Sequence, residues 1–337
     1  MQNRQSGRSL IRRFGVTVVA VATLVTVAAC GNSSDPNSAA ASSGGSGKRF
    51  TIGLASEGLN APFPSAIAKG AQSVADEHGV KLITLDGKLA EATQQSGIRT
   101  LIAQKVDGII IDPIDPGPTG SMIKLAQAAN IPVMLVHGYA GEGAEPVYPG
   151  VSYELVENYE KMGAAAGDLT LKAVPNGGKV AQITGTPGYQ AVDMLEKGFK
   201  SVIDPTGKFE VVATQPGNWT VTDSYNACKS ILSAHPDIAV FATQSDDMAL
   251  GCANAVKAAN SKAAITSSIG GTARVSDLIR EGAVYGMVCD APETQGKMAM
   301  EAMYKQLTGE KKHDGVVEYY PTPAVTKDNL SSCKAEW

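Results

Sequence analysis

The sequence predicts an α/β fold built from two doubly wound parallel-sheet lobes with a cleft between them. The chain has 337 residues, and the part after residue 47 is near the size, about 250–300 residues, at which one hydrophobic core divides. Within that part, short β-branched runs alternate with longer amphipathic stretches, the pattern of strands joined by crossover helices. The alternation stops at 139–148 and then begins again, which indicates two lobes.

The first half of the alternation predicts one doubly wound lobe. Its strands are apolar along their whole length, which is typical of a parallel sheet covered by helices on both faces. The predicted strands are 50–55, 81–85, 108–112 and 133–136, and the predicted helices are 65–78, 92–104 and 119–129. After the third strand, Pro113 and Pro116 favour a rigid turn, so we assign Asp112 and Asp115 to turn or capping roles.

The second half repeats the alternation, and right-handed crossovers again give a doubly wound lobe. The predicted helices are 154–172, 190–203, 221–234, 247–259 and 273–280, and the predicted strands are 179–184, 209–214, 238–242, 264–269 and 284–288. Asp246 and Asp247 stand where the fourth of these helices begins. We therefore expect them to cap that helix rather than to act as an acid/base pair.

The amino-terminal segment is typical of a bacterial lipoprotein signal. Residues 1–29 combine several arginines, a short apolar run and small residues just before Cys30. The apolar run is too short to cross a hydrocarbon core, which needs about 20 residues. We expect cleavage before Cys30 and lipid attachment to it, followed by a flexible linker over residues 30–47 that is composed mostly of Gly, Ser and Ala. The alternative is an ordinary secretory signal that ends by chance at a cysteine.

Composition and motifs exclude several function classes. The net charge is −4 without a dense basic patch, so we expect no nucleic-acid partner. The sequence has no CxxC, HExxH or paired-histidine spacing, so we expect no metal and no cofactor. It also lacks a GxSxG elbow and a GxGxxG loop after the first strand, which argues against an enzyme.

Cysteine usage is compatible with an oxidising compartment. Besides Cys30, the chain has four cysteines, an even number. Cys228 and Cys252 lie in consecutive predicted helices, so we favour pairing them, which leaves Cys289 to pair with Cys333. Four cysteines allow three connectivities, and buried free thiols are the alternative.

Polar and aromatic residues follow the predicted strands, and the carboxyl ends of parallel strands are where ligand crevices form. A single histidine or tryptophan is more often structural, but these residues share equivalent positions of a repeated unit. The candidate ligand-binding residues at these positions are Glu57, Asn60, Phe63, His137, Tyr139, Thr186, Tyr189, Trp219, Gln244 and Asp290.

The residues also resemble a known family, the periplasmic sugar-binding proteins of the ribose-binding type that serve ABC importers. The stretches that carry the resemblance are Leu59-Asn60-Ala61-Pro62-Phe63, Lys69-Gly70-Ala71-Gln72, Ala129-Asn130-Ile131-Pro132-Val133, Ala234-His235-Pro236-Asp237 and Asp246-Asp247-Met248-Ala249-Leu250-Gly251. The resemblance implies two lobes joined by three crossings near Ser152, Asp290 and Tyr320. One lobe would contain 48–152 and 291–320, and the other 153–290 and 321–337.

The resemblance implies a cleft that keeps only part of the family's sugar contacts. Phe63 and Trp219 stand at positions of stacking aromatics, Ser152 at a hinge-side polar contact, and Asp290 in place of a hinge amide. The residues that replace the remaining contacts are Ala61, Pro64, His137-Gly138, Leu195, Ser245 and Gly270. Each lost hydrogen bond to a charged group removes about 1.5–3 kcal/mol, so we expect a sugar or polyol other than ribose. A less polar or cationic ligand stays open, because the charged groups expected in the cleft are acids.

By this resemblance, the function expected is that of a substrate-binding lipoprotein of an ABC importer, tethered outside the cytoplasm and closing on its ligand by hinge motion. The implied partners are the small-molecule ligand, a membrane permease and, through the lipid on Cys30, the membrane itself. We expect a monomer. The alternatives are a receptor that presents its ligand to a membrane sensor and, less in keeping with the motifs, an α/β enzyme that acts on a small carbohydrate.

Overall fold

The computed structural model describes residues 49–337. The predicted signal peptide, Cys30 and the linker therefore lie outside the described residues. No helix within the described part of the chain is both long and apolar enough to span a bilayer.

The described chain forms two six-stranded sheets, each covered by helices on both faces. The first contains β1 (Thr51–Ser56), β2 (Lys81–Asp86), β3 (Gly108–Ile111), β4 (Val133–His137), β5 (Val151–Val156) and β11 (Val316–Tyr319). The second contains β6 (Gly178–Thr184), β7 (Phe209–Pro216), β8 (Ile238–Thr243), β9 (Ala264–Gly270), β10 (Gly286–Cys289) and β12 (Ala324–Thr326). The expected two-lobed α/β fold is confirmed.

The helices occupy the crossovers between these strands, as the alternation predicted. Those that pack on the first sheet are α1 (Pro62–Glu77), α2 (Glu91–Ala103), α3 (Pro116–Ala128) and α9 (Pro292–Thr308). Those of the second lobe are α4 (Tyr159–Ala173), α5 (Gln190–Ile203), α6 (Val221–Ala234), α7 (Asp246–Ala258) and α8 (Ala273–Glu281). Two short 3-10 helices follow α5 and β12, at Asp204–Thr206 and Leu330–Ser332.

The strand orders explain where a cleft forms. They are β11-β5-β4-β3-β1-β2 and β12-β10-β9-β8-β6-β7, so in each lobe the chain moves first to one side of the starting strand and then to the other. The adjacent strands β1 and β3 are parallel, and the helices that follow them, α1 and α3, pack on opposite faces of the sheet. Their carboxyl-end loops therefore diverge and leave a crevice at that edge of each sheet.

The first crossing between the lobes lies later in the chain than Ser152. β5 pairs with β4 from Val151 to Val156 and so belongs to the first sheet, which corrects both the predicted boundary at 152 and the predicted helix start at residue 154. The chain reaches the second lobe at 157–158. It returns at 290–291, between β10 and α9, and crosses a third time at 320–323, between β11 and β12.

Both disulfides join elements of the second lobe or its neighbouring segments. Cys228 of α6 bonds to Cys252 of α7, and Cys289 at the end of β10 bonds to Cys333, with Cα–Cα distances of 5.3 and 5.8 Å. This is the connectivity favoured from the sequence. The second bond ties the segment after β12 to the start of a lobe crossing.

Candidate functional site

A cleft of about 450 Å³ lies between the carboxyl ends of the two sheets. The residues predicted from the sequence that line it are Glu57, Phe63, His137, Tyr139, Thr186, Tyr189 and Trp219. They come from both lobes, because each follows a strand whose carboxyl end faces the gap. The structure therefore brings together most of the residues selected for their position after a strand.

Four predicted residues are absent from the lining of this cleft. Asn60 is exposed in the loop before α1. Ser152 lies at the start of β5, whose other end faces the cleft. Gln244 is buried and bonds the backbone, with its Oε1 accepting from Gly185 N at 2.8 Å and its Nε2 donating to Val192 O at 2.9 Å. Asp290 is 1% exposed, and its Oδ1 accepts from Ala291 N and Gln295 Nε2.

An ion pair forms the floor of the cleft on the first lobe. Asp112 is fully buried, and its Oδ1 lies 3.2 Å from His137 Nδ1. The hydroxyl of Tyr159 lies 3.2 Å from both the carbonyl oxygen and Nε2 of His137, so it is in hydrogen-bond reach of each. The carboxylate of Asp112 favours the charged form of the imidazole, in which Nδ1–H donates to it.

This arrangement corrects the turn role that the sequence suggested for Asp112. The backbone carbonyl of Asp112 is held by Gln94 Nε2 at 2.7 Å, and the carboxylate turns inward to His137. Asp115 has the expected role, since its Oδ1 accepts from Gly117 N at the start of α3. At the start of α7, Ser245 rather than Asp246 or Asp247 accepts the capping bond, from Met248 N.

Electrostatics at the cleft floor follow from the density of carboxyl groups. Burial opposes a charged His137, but Glu157, Asp112 and Glu57 outweigh it and raise the pKa of the imidazole well above its ordinary value. Burial, with Asp112 nearby, raises the pKa of Glu57 to about 8. Glu57 therefore lacks a counter-charge of its own, because the positive charge of His137 is already hydrogen-bonded to Asp112.

Two further carboxyl groups lie behind the floor, at the first and second crossings between the lobes. Glu157 is 2% exposed, and its carboxyl group lies against the side chains of Gln295 and Asp290 without a well-aligned hydrogen bond to either oxygen. Burial raises the pKa of Glu157 well above its ordinary value, and the pKa of Asp290 rises to about 6 for the same reason. The acids of this region thus outnumber its single imidazolium.

Trp219 provides the main aromatic wall on the second lobe. It follows β7 in a left-handed backbone conformation, with φ of 61°, and His137 opposite it has φ of 68°. Such conformations cost a non-glycine residue about 1–3 kcal/mol and concentrate at binding sites. The indole lies against Gly185, where an added Cβ would stand 1.9 Å from Cζ2 of Trp219. A glycine is needed there for the ring to take this position.

Trp337 is a cleft residue that the sequence analysis missed. Its ring packs edge-on against Phe63, with centroids 5.1 Å apart, and its buried Nε1 has no acceptor among the described residues. Glu336 fixes the segment by accepting from Thr294 N and Oγ1. The only sequence signal for this placement is Cys333, whose disulfide to Cys289 brings the segment to the second crossing.

The cleft floor also brings three potential metal-ligand atoms close together. One atom each from Glu57, Asp112 and His137 lies within 4.8 Å of the other two. A metal on His137 would require a bare Nδ1, whereas this nitrogen already donates to Asp112 and Nε2 faces the Tyr159 hydroxyl. A charged imidazole hydrogen-bonded on both nitrogens accounts for the arrangement without an ion.

The rims of the two lobes touch across the cleft. Tyr139, after β4, donates to Gln190 Oε1 and lies 3.3 Å from Met194 Sδ, and both partners belong to α5 in the second lobe. Phe63 of α1 meets His137 on its own lobe, with ring centroids 4.6 Å apart. The cleft is therefore bordered by contacts between lobes as well as by each lobe's own walls.

Two doubly wound lobes that enclose a small aromatic cleft at their strand ends define a two-lobed α/β binding protein. The chain belongs to the periplasmic binding protein domain family, whose model matches residues 52–311. The family expected from the sequence stretches is therefore confirmed.

Curated relatives include import binding proteins for more than one sugar. The chain is 29% identical over 296 residues to the ribose import binding protein RbsB of Bacillus subtilis, covering 88% of this chain and 94% of that protein. It is 28% identical over 221 residues to a D-apiose import binding protein of Actinobacillus succinogenes, covering 66% of this chain and 70% of that protein.

Solved structures show the same fold at lower identity. An ABC transporter solute binding protein from Bacillus halodurans with bound myo-inositol has a TM-score of 0.77 at 20% identity, covering 87% of this chain and all of that one. A periplasmic solute binding protein from Actinobacillus succinogenes with bound D-allose has a TM-score of 0.77 at 21% identity, with 84% of this chain covered.

Proposed function

We propose that this chain is the extracytoplasmic substrate-binding lipoprotein of an ABC importer and that it binds a small sugar or polyol without changing it chemically. The observation that carries the proposal is the cleft of about 450 Å³, which both lobes line with aromatic side chains. That volume suits one small ring. Family membership and the import role named for the relatives support transport over catalysis.

Ligand capture follows from the placement of the walls. Phe63 and His137 belong to the first lobe, and Trp219 and Tyr189 belong to the second. A ligand that touches both sets favours the closed arrangement, because only contacts made in that arrangement shift the equilibrium between open and closed lobes. The three crossings act as the hinge, and the closed monomer is the form that a membrane permease recognises.

Ribose itself is a poor fit for this cleft. Leu195, which stands where the resembling family has a gripping arginine, is 1% exposed within α5 and packs in the core. Ser245 caps α7, and His137 holds Asp112. Each ribose hydroxyl that is buried without a hydrogen-bond partner costs about 1–3 kcal/mol of binding free energy. Since about 1.4 kcal/mol corresponds to a tenfold change in Kd, the loss of several such contacts weakens ribose binding strongly.

A thermal-unfolding screen against pentoses, hexoses and polyols tests the proposal. A true ligand at about a hundred times its Kd stabilises the folded protein by about 2.7 kcal/mol. Chromatography of the recovered ligand should show it unchanged, whereas a chemically altered product would favour an enzyme.

Trp219→Ala is the matched binding variant. We expect it to weaken binding by about a hundredfold, because buried aromatics dominate small-ligand sites. Phe209→Ala, at the opposite end of β7, is the control and should keep the wild-type Kd. Full affinity in Trp219→Ala would refute this assignment of the cleft.

Lipid anchoring has its own test. Metabolic labelling with a radioactive fatty acid should mark the wild-type protein in membranes, and Cys30→Ser should lose both the label and the membrane fraction. A labelled Cys30→Ser protein would contradict the anchor at that residue.

A further inference from the structure

The charged groups that line the cleft are unbalanced. Glu57 and Asp247 line it, and no lysine or arginine does so among the described residues. His137 is the one cationic side chain in the lining, and Asp112 behind it already accepts its Nδ1–H. Once that pair is counted as neutral, the remaining charged or ionisable carboxyl groups of the lining have no cationic side chain to balance them.

Glu57 is the acid of the lining whose carboxyl group is available to a ligand in the cleft. Its backbone N–H donates to Asp112 Oδ2, but its carboxyl group accepts no hydrogen bond from any described residue. Both nitrogens of His137 are already committed, to Asp112 and to Tyr159. The missing donor for Glu57 must therefore come from the cleft.

A cation satisfies Glu57 better than a hydroxyl does. A ligand hydroxyl leaves an ionised Glu57 without an opposite charge, whereas an ammonium group supplies both the hydrogen-bond donors and the opposite charge that stabilise the carboxylate. With the cleft empty, burial and Asp112 raise the pKa of Glu57 to about 8, so the carboxyl group is largely protonated at neutral pH. An ammonium group at hydrogen-bond distance lowers that pKa and restores the carboxylate. Asp290, buried behind the floor with a pKa of about 6, is mostly ionised at neutral pH and adds negative potential.

The aromatic walls favour the same ligand chemistry. The rings of Phe63, Trp219 and Trp337 line the cleft. Aromatic faces attract ammonium groups through the ring quadrupole, most strongly for tryptophan, and they also pack well on the C–H face of a sugar ring. One molecule can use both properties if it carries an amine on a hydroxylated ring.

We propose that the ligand is an aminated sugar or polyol, bound with its ammonium group on the Glu57 carboxylate and its ring between Phe63 and Trp219. This inference rests on the proposed function, because it names the ligand class of the same cleft. Glu57 is then a specificity-determining residue that selects the amine over a hydroxyl at one ring position.

Matched ligand pairs test the inference by calorimetry at neutral pH. The pairs are D-glucosamine with D-glucose, D-galactosamine with D-galactose, and an amino-inositol with myo-inositol. In at least one pair the amine should bind about tenfold or more tightly than the hydroxyl member. N-acetylation of that amine should abolish the preference, because the charge is lost.

Glu57→Gln should weaken the amine by about tenfold or more and change the hydroxyl member by less than about threefold. Glu154→Gln is the matched control, because Glu154 is buried in β5 of the same lobe and is absent from the cleft lining. It should bind both members as the wild type does. Unfolding temperatures of both variants establish that they are folded.

The outcomes separate the two proposals. Hydroxyl members that bind as well as the amines overturn the inference and leave the proposed function intact. Binding that EDTA abolishes also overturns it, because Glu57 would then hold a metal ion. A folded wild type that binds no sugar, polyol or amine of the panel overturns the proposed function and the inference with it.

Discussion

The two lobes each place a fully buried aspartate after the corresponding strand of the sheet, and they use it differently. Asp112 follows β3, and Asp246 comes shortly after β8, the strand at the same place in the second sheet. Asp246 Oδ2 accepts from the N–H groups of Gly271 and Thr272 and from the hydroxyl of Thr272. Asp112 instead holds the side chain of His137.

The two lobes therefore use equivalent buried aspartates for different roles. In the second lobe, the carboxylate of Asp246 is bonded to the turn between β9 and α8 and stabilises the wall of the cleft. That lobe contacts the cleft mainly through the aromatic ring of Trp219. The first lobe directs its carboxylate to a side chain that lines the cleft, so the charge lies there. Each role predicts a different response to substitution.

The largest effect should come from disturbing the shape of the second lobe without touching the ligand. In Gly185→Ala, the new Cβ would stand 1.9 Å from the Trp219 ring and push it from its place. We expect about a hundredfold weaker binding by calorimetry, comparable to loss of the indole. Gly143→Ala, where nothing lies within 4 Å of an added Cβ, is the control. Wild-type affinity in Gly185→Ala would mean that the ring position is not needed.

The second effect separates the two aspartates directly. Asp112→Asn removes the negative partner of the His137 imidazolium, so binding should weaken by about tenfold. Asp246→Asn should lower the free energy of unfolding by about 1–3 kcal/mol in urea titrations and leave the Kd within about twofold. The reverse result, with binding lost only in Asp246→Asn, would assign the functional carboxylate to the second lobe.

The smallest effect concerns the pH dependence of folding stability. An acid whose pKa is raised on folding holds its proton more tightly in the folded state, so stability falls as the pH rises from the unfolded pKa to the folded one. For Glu57 this window runs from 4.5 to about 8, and for Asp246 it runs from 3.8 to about 6. Asp112 and His137 face Glu57 and set its folded pKa together with burial.

Urea titrations across that pH range can assign the windows to the lobes. Glu57→Gln should flatten the loss of stability up to about pH 8, by about 1–2 kcal/mol once solvent screening in the open cleft is counted. Asp246→Asn should flatten it only below about pH 6. A Glu57→Gln profile that matches the wild type above pH 6 would contradict the charged role of the first lobe.

The sequence predicted the fold well where strands are continuous and apolar. Gly108–Ile111 is fully buried and was recognised, whereas Val151–Val156 was partly assigned to a helix because Tyr153 and Glu154 interrupt its apolar run. Both polar side chains are buried in the sheet, and burial raises the pKa of Glu154 to about 7. The short edge strands β11 and β12 carry too few residues for a periodic signal.

The candidate site was predictable in position but not in side-chain direction. A strand end locates Trp219 and Gln244 equally well, yet one ring faces the cleft while the other side chain turns back to Gly185 N. That choice depends on neighbouring backbone groups distant in the chain. Trp337 was beyond reach for the same reason, since the Cys289–Cys333 bond and Glu336 bring it into place.

The position of Trp337 on one side of the cleft depends on formation of the disulfide between Cys289 and Cys333. With both sulfurs still thiols, Trp337 would stay beside Phe63 only through the contacts of Glu336 and the hydrogen bond from Ala273 N to its own carbonyl oxygen. Reductants in the cytosol keep cysteine thiols reduced, whereas disulfides form in oxidising compartments. Formation of this disulfide in an oxidising compartment would thus fix the Trp337 side of the cleft.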